Sequence, residues 1–115
     1  MELAEQKCIT FSKDTPPLNR DQAQELAKQI PNWDISEDHI ERTFKFPNFV
    51  EAMKFANRIT NIAEDQNHHP DLHISWGKVR IELTTHAIKG LSPNDFIVAA
   101  KIDRLAEQLG VAQSI

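Results

Sequence analysis

The sequence predicts an α+β fold: α-β-β-α-β-β-α, a four-stranded antiparallel sheet with helices packed on one face. Three observations predict it. Two pairs of short segments alternate apolar and polar residues, the period of a half-buried strand. Each pair is split by a turn-forming run, Ser36-Glu37-Asp38 in one and Gly77-Lys78 in the other. Three longer segments instead repeat apolar residues every three or four positions, the spacing of one helical face.

In order, residues 1–17 carry no sustained period and end in Thr15-Pro16-Pro17. They read as a loosely ordered N-terminal arm with a short extended piece at Ile9–Phe11. Asn19 then caps a helix, with Gln22 in capping-box position. That helix runs to about Ile30, carries Ala23, Leu26, Ala27 and Ile30 on its inner side, and is stopped by Pro31. Trp33-Asp34-Ile35 and the alternation Ile40, Arg42, Phe44, Phe46 form the first hairpin. A longer helix starts at Asn48, with Phe49, Met53, Ala56, Thr60 and Ala63 on one stripe widened by Ala52 and Ile59. It ends near Asn67, because Pro70 pushes His69 into extended geometry.

Leu72, Ile74 and Trp76 alternate along the third strand, and Gly77 offers the turn a positive φ. Val79, Ile81 and Leu83 alternate with Arg80, Glu82, Thr84 and, continuing the polar set, His86. Ser92 caps the last helix, with Pro93 at its first position and Asp95 at its third. Val98, Ile102, Leu105 and Leu109 form its stripe, and Gly110 ends it. No repeat, low-complexity tract or linker divides the chain, so residues 1–115 are expected to form a single domain.

Composition narrows the class. The chain has 115 residues, 40% hydrophobic and 26% charged, as an ordinary globular protein does. Its net charge of -4, with no basic cluster, argues against a nucleic-acid partner. No apolar run approaches the ~20 residues that span a bilayer, and no signal peptide is visible, so the expected compartment is the cytoplasm. The single cysteine, Cys8, reads as an unreactive thiol, and a lone cysteine suits a reducing compartment.

Chemistry concentrates between Glu64 and Asp95, which hold His68, His69, His73 and His86 of the 5 histidines. Imidazoles titrate near neutral pH, so each can give or take a proton. Glu64 precedes His68 by four residues. It would fix the tautomer of His68 and raise its basicity, or the two form an ordinary exposed i, i+4 pair. Four imidazoles would be enough for zinc, but no ligand spacing typical of zinc is present, so no metal is expected. His39 and His73 read as surface residues, Trp33 and Trp76 as core, and Asp95 as a helix cap. With 3 glycines in the chain, a phosphate cradle is excluded. What remains is cofactor-free acid–base chemistry on a small molecule.

The spacing Glu64, His68-His69-Pro70, Trp76, His86, Asp95 resembles the signature of the pterin-4a-carbinolamine dehydratases, as do Lys78-Val79, Thr85-His86 and Gly90-Leu91. The resemblance extends from about Asn19 to Leu109 and includes the element order. It implies dehydration of 4a-hydroxytetrahydropterin to quinonoid dihydropterin in pterin recycling, with no metal or bound cofactor. By the same resemblance, His68 and His86 take acid–base positions and His69 mainly a substrate-holding one. Glu64, Pro70 and Thr85 fall at pocket positions, and so does Trp33, whose ring would stack on the pterin. Leu72 departs from the aromatic residue of animal members. Family members form homodimers or homotetramers, and the Val98–Leu109 stripe and an open sheet edge fit that expectation. Animal members also act as dimerisation cofactors of a transcription factor, so the rival class is a non-catalytic interaction module.

Overall fold

The computed structural model describes residues 2–111, and Met1 and residues 112–115 lie outside it. The elements are α1 (Arg20–Ala27), β1 (Asp34–Ile35), β2 (Ile40–Lys45), α2 (Phe49–Gln66), β3 (Asp71–Ser75), β4 (Lys78–Leu83) and α3 (Pro93–Leu109). Their order is the one read from the sequence. The strands form one antiparallel sheet in the order β1-β2-β4-β3.

Register explains the core. Ile40, Arg42 and Phe44 of β2 lie opposite Leu83, Ile81 and Val79 of β4. Cross-strand partners share a face, so all six are buried on the same side. Arg42 is the exception in chemistry. Its guanidinium lies 4.2 Å from the Phe44 ring centroid and donates to Asp103 Oδ1 at 2.7 Å. The Trp33 indole donates to the same oxygen at 2.8 Å. Burial pushes the Asp103 carboxyl up, against the opposing pull of those two donors.

The buried face of α2 is Ala52, Phe55, Ala56, Ile59 and Ala63. Ala52, Ala56, Ile59 and Ala63 belong to the expected stripe, but the buried face is rotated from its remainder: Phe49 is 48% exposed, Met53 half-buried and Thr60 exposed. Phe55 decides the rotation. Its ring packs 4.9 Å from Phe44 and 5.2 Å from Phe46, between centroids, while small Ala52 and Ala56 let the helix approach the sheet.

Regular α1 stops at Ala27 rather than Ile30. The Gln29 and Ile30 amides bond three residues back, to Leu26 and Ala27, and this tighter winding delivers buried Ile30 to the core before Pro31. Gly77 does not use a positive φ. A Cβ there would stand 2.9 Å from the Phe46 carbonyl oxygen, so glycine is needed for close approach. Trp76 is 68% exposed, not core, because it follows edge strand β3, whose Ile74 is also 36% exposed.

The arm is not loose. Leu3 is buried in the main core, its amide donates to Gln29 Oε1 at 2.7 Å, and Lys101 Nζ donates to the Ala4 carbonyl at 2.9 Å. Arg104 pairs with Glu5 at 3.1 Å. An apolar anchor and polar ties to the helices hold a segment that has no periodic pattern of its own.

Candidate active site

Two helix ends and one loop build the site. At the end of α2, Asn67 adopts the left-handed conformation (φ 51), and the amides of Asn67 and His68 both return to the Ala63 carbonyl. Asparagine tolerates this geometry, and the resulting Schellman-type turn redirects the chain before Pro70 stiffens it. His68 therefore turns inward while His69 stays outside.

At the start of α3, Ser92 and Asp95 form the expected capping box, with Asp95 Oδ2 accepting the Ser92 amide at 3.0 Å. The same carboxylate does more than cap. Its Oδ1 lies 2.6 Å from His68 Nε2, and its Oδ2 accepts the Thr85 hydroxyl at 2.8 Å. Asp95 is fully buried, and the His68 side chain is 11% exposed. An ionised buried carboxylate needs such partners, and here it has three. The carboxylate fixes Nε2 of His68 as the N–H donor, which leaves Nδ1 to carry the lone pair.

The loop follows β4. Thr85 pairs with Gly90 through two backbone hydrogen bonds, and residues 86–88 form a short 3-10 turn closed by Lys89 in the left-handed region. His86 is thus presented from this turn rather than from the strand itself, because β4 ends at Leu83. The Thr85 hydroxyl also meets the Ser92 hydroxyl at 2.7 Å, which ties the loop to the helix start.

An open cleft of about 570 Å³ brings His68, His69 and His86 together with Thr85, Asn94 and the arm residues Cys8–Phe11. Glu64 does not hold His68. Its Oε2 lies 2.5 Å from His69 Nε2, with both side chains more than half exposed, because the turn at Asn67 moves His68 off the helical face that Glu64 shares. Pro70 is half-buried beside His69 at the chain's exit from this turn. Trp33 is not brought to the cleft. It is 4% exposed, with its N–H committed to Asp103 beside a separate cavity of about 500 Å³ that holds no histidine. His73 is exposed and lies 3.6 Å from Glu82. His39 is held by Asp38 and Glu41 at 2.9 and 3.2 Å, and those carboxylates raise its pKa, Asp38 foremost. Burial pushes the Cys8 thiol up to about 11, so it stays protonated near neutral pH.

Sequence reasoning missed two contributors. Asn94 had no signal beyond its place in the cap, and the arm had none. Among the described residues, no three or more His, Cys, Asp or Glu side chains are grouped as metal ligands.

The sequence profile of the family described as pterin 4 alpha carbinolamine dehydratase matches residues 16–105. A protein of Rubrobacter xylanophilus, provisionally named a pterin-4-alpha-carbinolamine dehydratase, is 47% identical over 90% of this chain and 98% of its own. One from Alkaliphilus metalliredigens with the same provisional name is 50% identical over 89% of this chain and 94% of its own. A crystal structure from Brucella melitensis, described as a transcriptional coactivator/pterin dehydratase, superposes with a TM-score of 0.73 at 27% identity. It covers 78% of this chain and 98% of that one.

Proposed function

The chain belongs to the pterin 4 alpha carbinolamine dehydratase family, and on that premise we propose that it converts 4a-hydroxytetrahydropterin to quinonoid dihydropterin and water in pterin recycling. The observation that carries the chemical part of this reading is the buried Asp95 carboxylate against His68, facing a cleft shared with His86.

In the proposed reaction, Nδ1 of His68 takes the N5 proton of the substrate. The electron pair of that N–H bond forms the N5–C4a double bond as the C4a–O bond breaks. Protonated His86 gives its proton to the departing hydroxyl, which leaves as water. Asp95 stabilises the imidazolium formed on His68 without itself needing to accept the proton. His69, braced by Glu64, holds the pterin together with Thr85 and Pro70. Proton transfer between His68, solvent and His86 resets the pair. No cofactor or metal enters this scheme.

We place the enzyme in the cytoplasm as a homodimer or homotetramer. Among the described residues no helix is long and apolar enough to cross a membrane. Edge strand β3, with exposed Ile74 and Trp76, can extend the sheet across two copies, and Phe49 and Val50 (60% exposed) add an apolar patch at the start of α2, whereas Val98 and Ile102 of the expected α3 stripe are buried in the chain's own core.

The test is dehydration of enzymatically generated carbinolamine, followed as quinonoid dihydropterin and corrected for the uncatalysed reaction. Acceleration removed by His68→Ala and His86→Ala supports the scheme. No acceleration above background would leave the interaction-module reading in its place. The Brucella structure's description and the exposed apolar edge favour that second reading.

A further inference from the structure

The arm residues Cys8–Phe11 line the histidine cleft, although they precede the 16–105 stretch that matches the family. They are held there at two points. Asn94, 5% exposed, captures both backbone groups of Ile9: its Oδ1 accepts the amide at 3.0 Å, and its Nδ2 donates to the carbonyl at 2.6 Å. Gln66 Oε1 accepts the Cys8 amide at 2.8 Å. A side-chain amide that meets a backbone N–H and C=O together imitates a neighbouring strand. The Ile9 side chain is left 63% exposed.

The anchors have a specific address. Gln66 is the last residue of α2, just before the turn that presents His68, and Asn94 directly precedes Asp95. The arm is therefore fastened to the same two helix ends that set His68 and Asp95, without touching either through Asn94's side chain. We propose that Cys8–Phe11 is a strap forming one wall of the substrate cleft, with Ile9 packing its apolar side chain on the bound pterin and Asn94 as its positioning residue. This rests on the cleft being the pterin site. A wall of this kind binds ground and transition states alike, so its loss raises KM more than it lowers kcat.

Asn94→Ala removes both Ile9 hydrogen bonds and leaves the Ser92–Asp95 capping box in place. Gln66→Ala releases the second anchor from outside the core, in case the first variant folds poorly. Each is expected to raise KM about fivefold with kcat changed less than about twofold. Trypsin reports the strap directly, because exposed Lys7 and Lys13 flank it. Cleavage at either lysine should be slowed by 7,8-dihydropterin in the parent protein and accelerated in both variants. Unchanged cleavage in the variants would show that these residues do not hold the strap. Faster cleavage with an unchanged KM would show that the strap is structural only. Either result overturns the proposal while dehydratase activity stands. If the parent protein neither binds 7,8-dihydropterin nor accelerates dehydration, the functional reading itself fails, and the strap proposal with it.

Discussion

Asp95 Oδ1 lies 2.6 Å from His68 Nε2 while the other oxygen of the same carboxylate closes the capping box of α3. One buried group thus serves the start of a helix and the orientation of a ring, and the two tasks can be separated by substitution.

Ser92→Ala removes the hydroxyl of the cap and should cost about 1 kcal/mol of stability. Asp95→Asn removes the charge beside His68 and should cost about 1–3 kcal/mol, as expected when a buried group loses a charged partner. The activities should diverge further. Asp95→Asn should lower kcat about 10- to 100-fold, while Ser92→Ala lowers it far less. Chemical denaturation and steady-state kinetics on both variants check this, and equal kcat losses would assign Asp95 to capping alone.

The three cleft histidines should not respond alike. His68→Ala and His86→Ala should each lower kcat about 10²–10⁴-fold, the range for a positioned acid or base. His69→Ala should mainly raise KM, since a group that holds the pterin does so before and during reaction. Kinetics on folded variants, confirmed by circular dichroism, decide the matter. His73→Ala, on the exposed strand β3, is the control expected to leave both constants unchanged.

Glu64→Gln should follow His69 and not His68. Its carboxylate meets His69 Nε2 across an exposed pair, which is worth little in stability. A rise in KM of a few fold with kcat retained is the expected result. A fall in kcat matching that of His68→Ala would mean that the pairing in solution is the one spacing suggests.

His39 should titrate above the ordinary imidazole value of 6.5, chiefly because of its hydrogen bond to Asp38. A pKa raised by folding adds stability that is complete below the unfolded value. That stability is lost as pH rises through the folded value. The NMR titration of His39 should therefore show a midpoint displaced upward, and Asp38→Asn should bring it down. Exposure of this pair keeps the stability effect small.

Much of the fold was legible because it rests on local chemistry. The Asn19 and Ser92 caps and the helix ends at Asn67 and Gly110 are determined by residues within a turn of each boundary. The alternation in Ile40–Phe44 and Val79–Leu83 reports which side of a strand is buried, and the structure buries that side. The same local logic failed for Trp76. Alternation places a side chain on a face but does not say whether anything covers it, and among the described residues none covers Trp76 at the end of this edge strand. On α2 the same logic placed Ala52, Ala56, Ile59 and Ala63 correctly but missed Phe55 and included Phe49, Met53 and Thr60, because Phe55's contacts with Phe44 and Phe46 set which face is buried.

For the site, the residue types and spacing between Glu64 and Asp95 sufficed to locate the chemistry and to suggest the family. Which partner each group takes was decided in three dimensions. Glu64 and His68 sit four apart, yet a single left-handed residue at Asn67 hands Glu64 to His69 and carries His68 to a carboxylate 27 positions away. The arm's place beside the histidines was likewise settled only by tertiary packing. A hydrogen bond from the Ile9 amide to Asn94 links residues 85 positions apart, and no periodicity along the chain encodes a contact of that range.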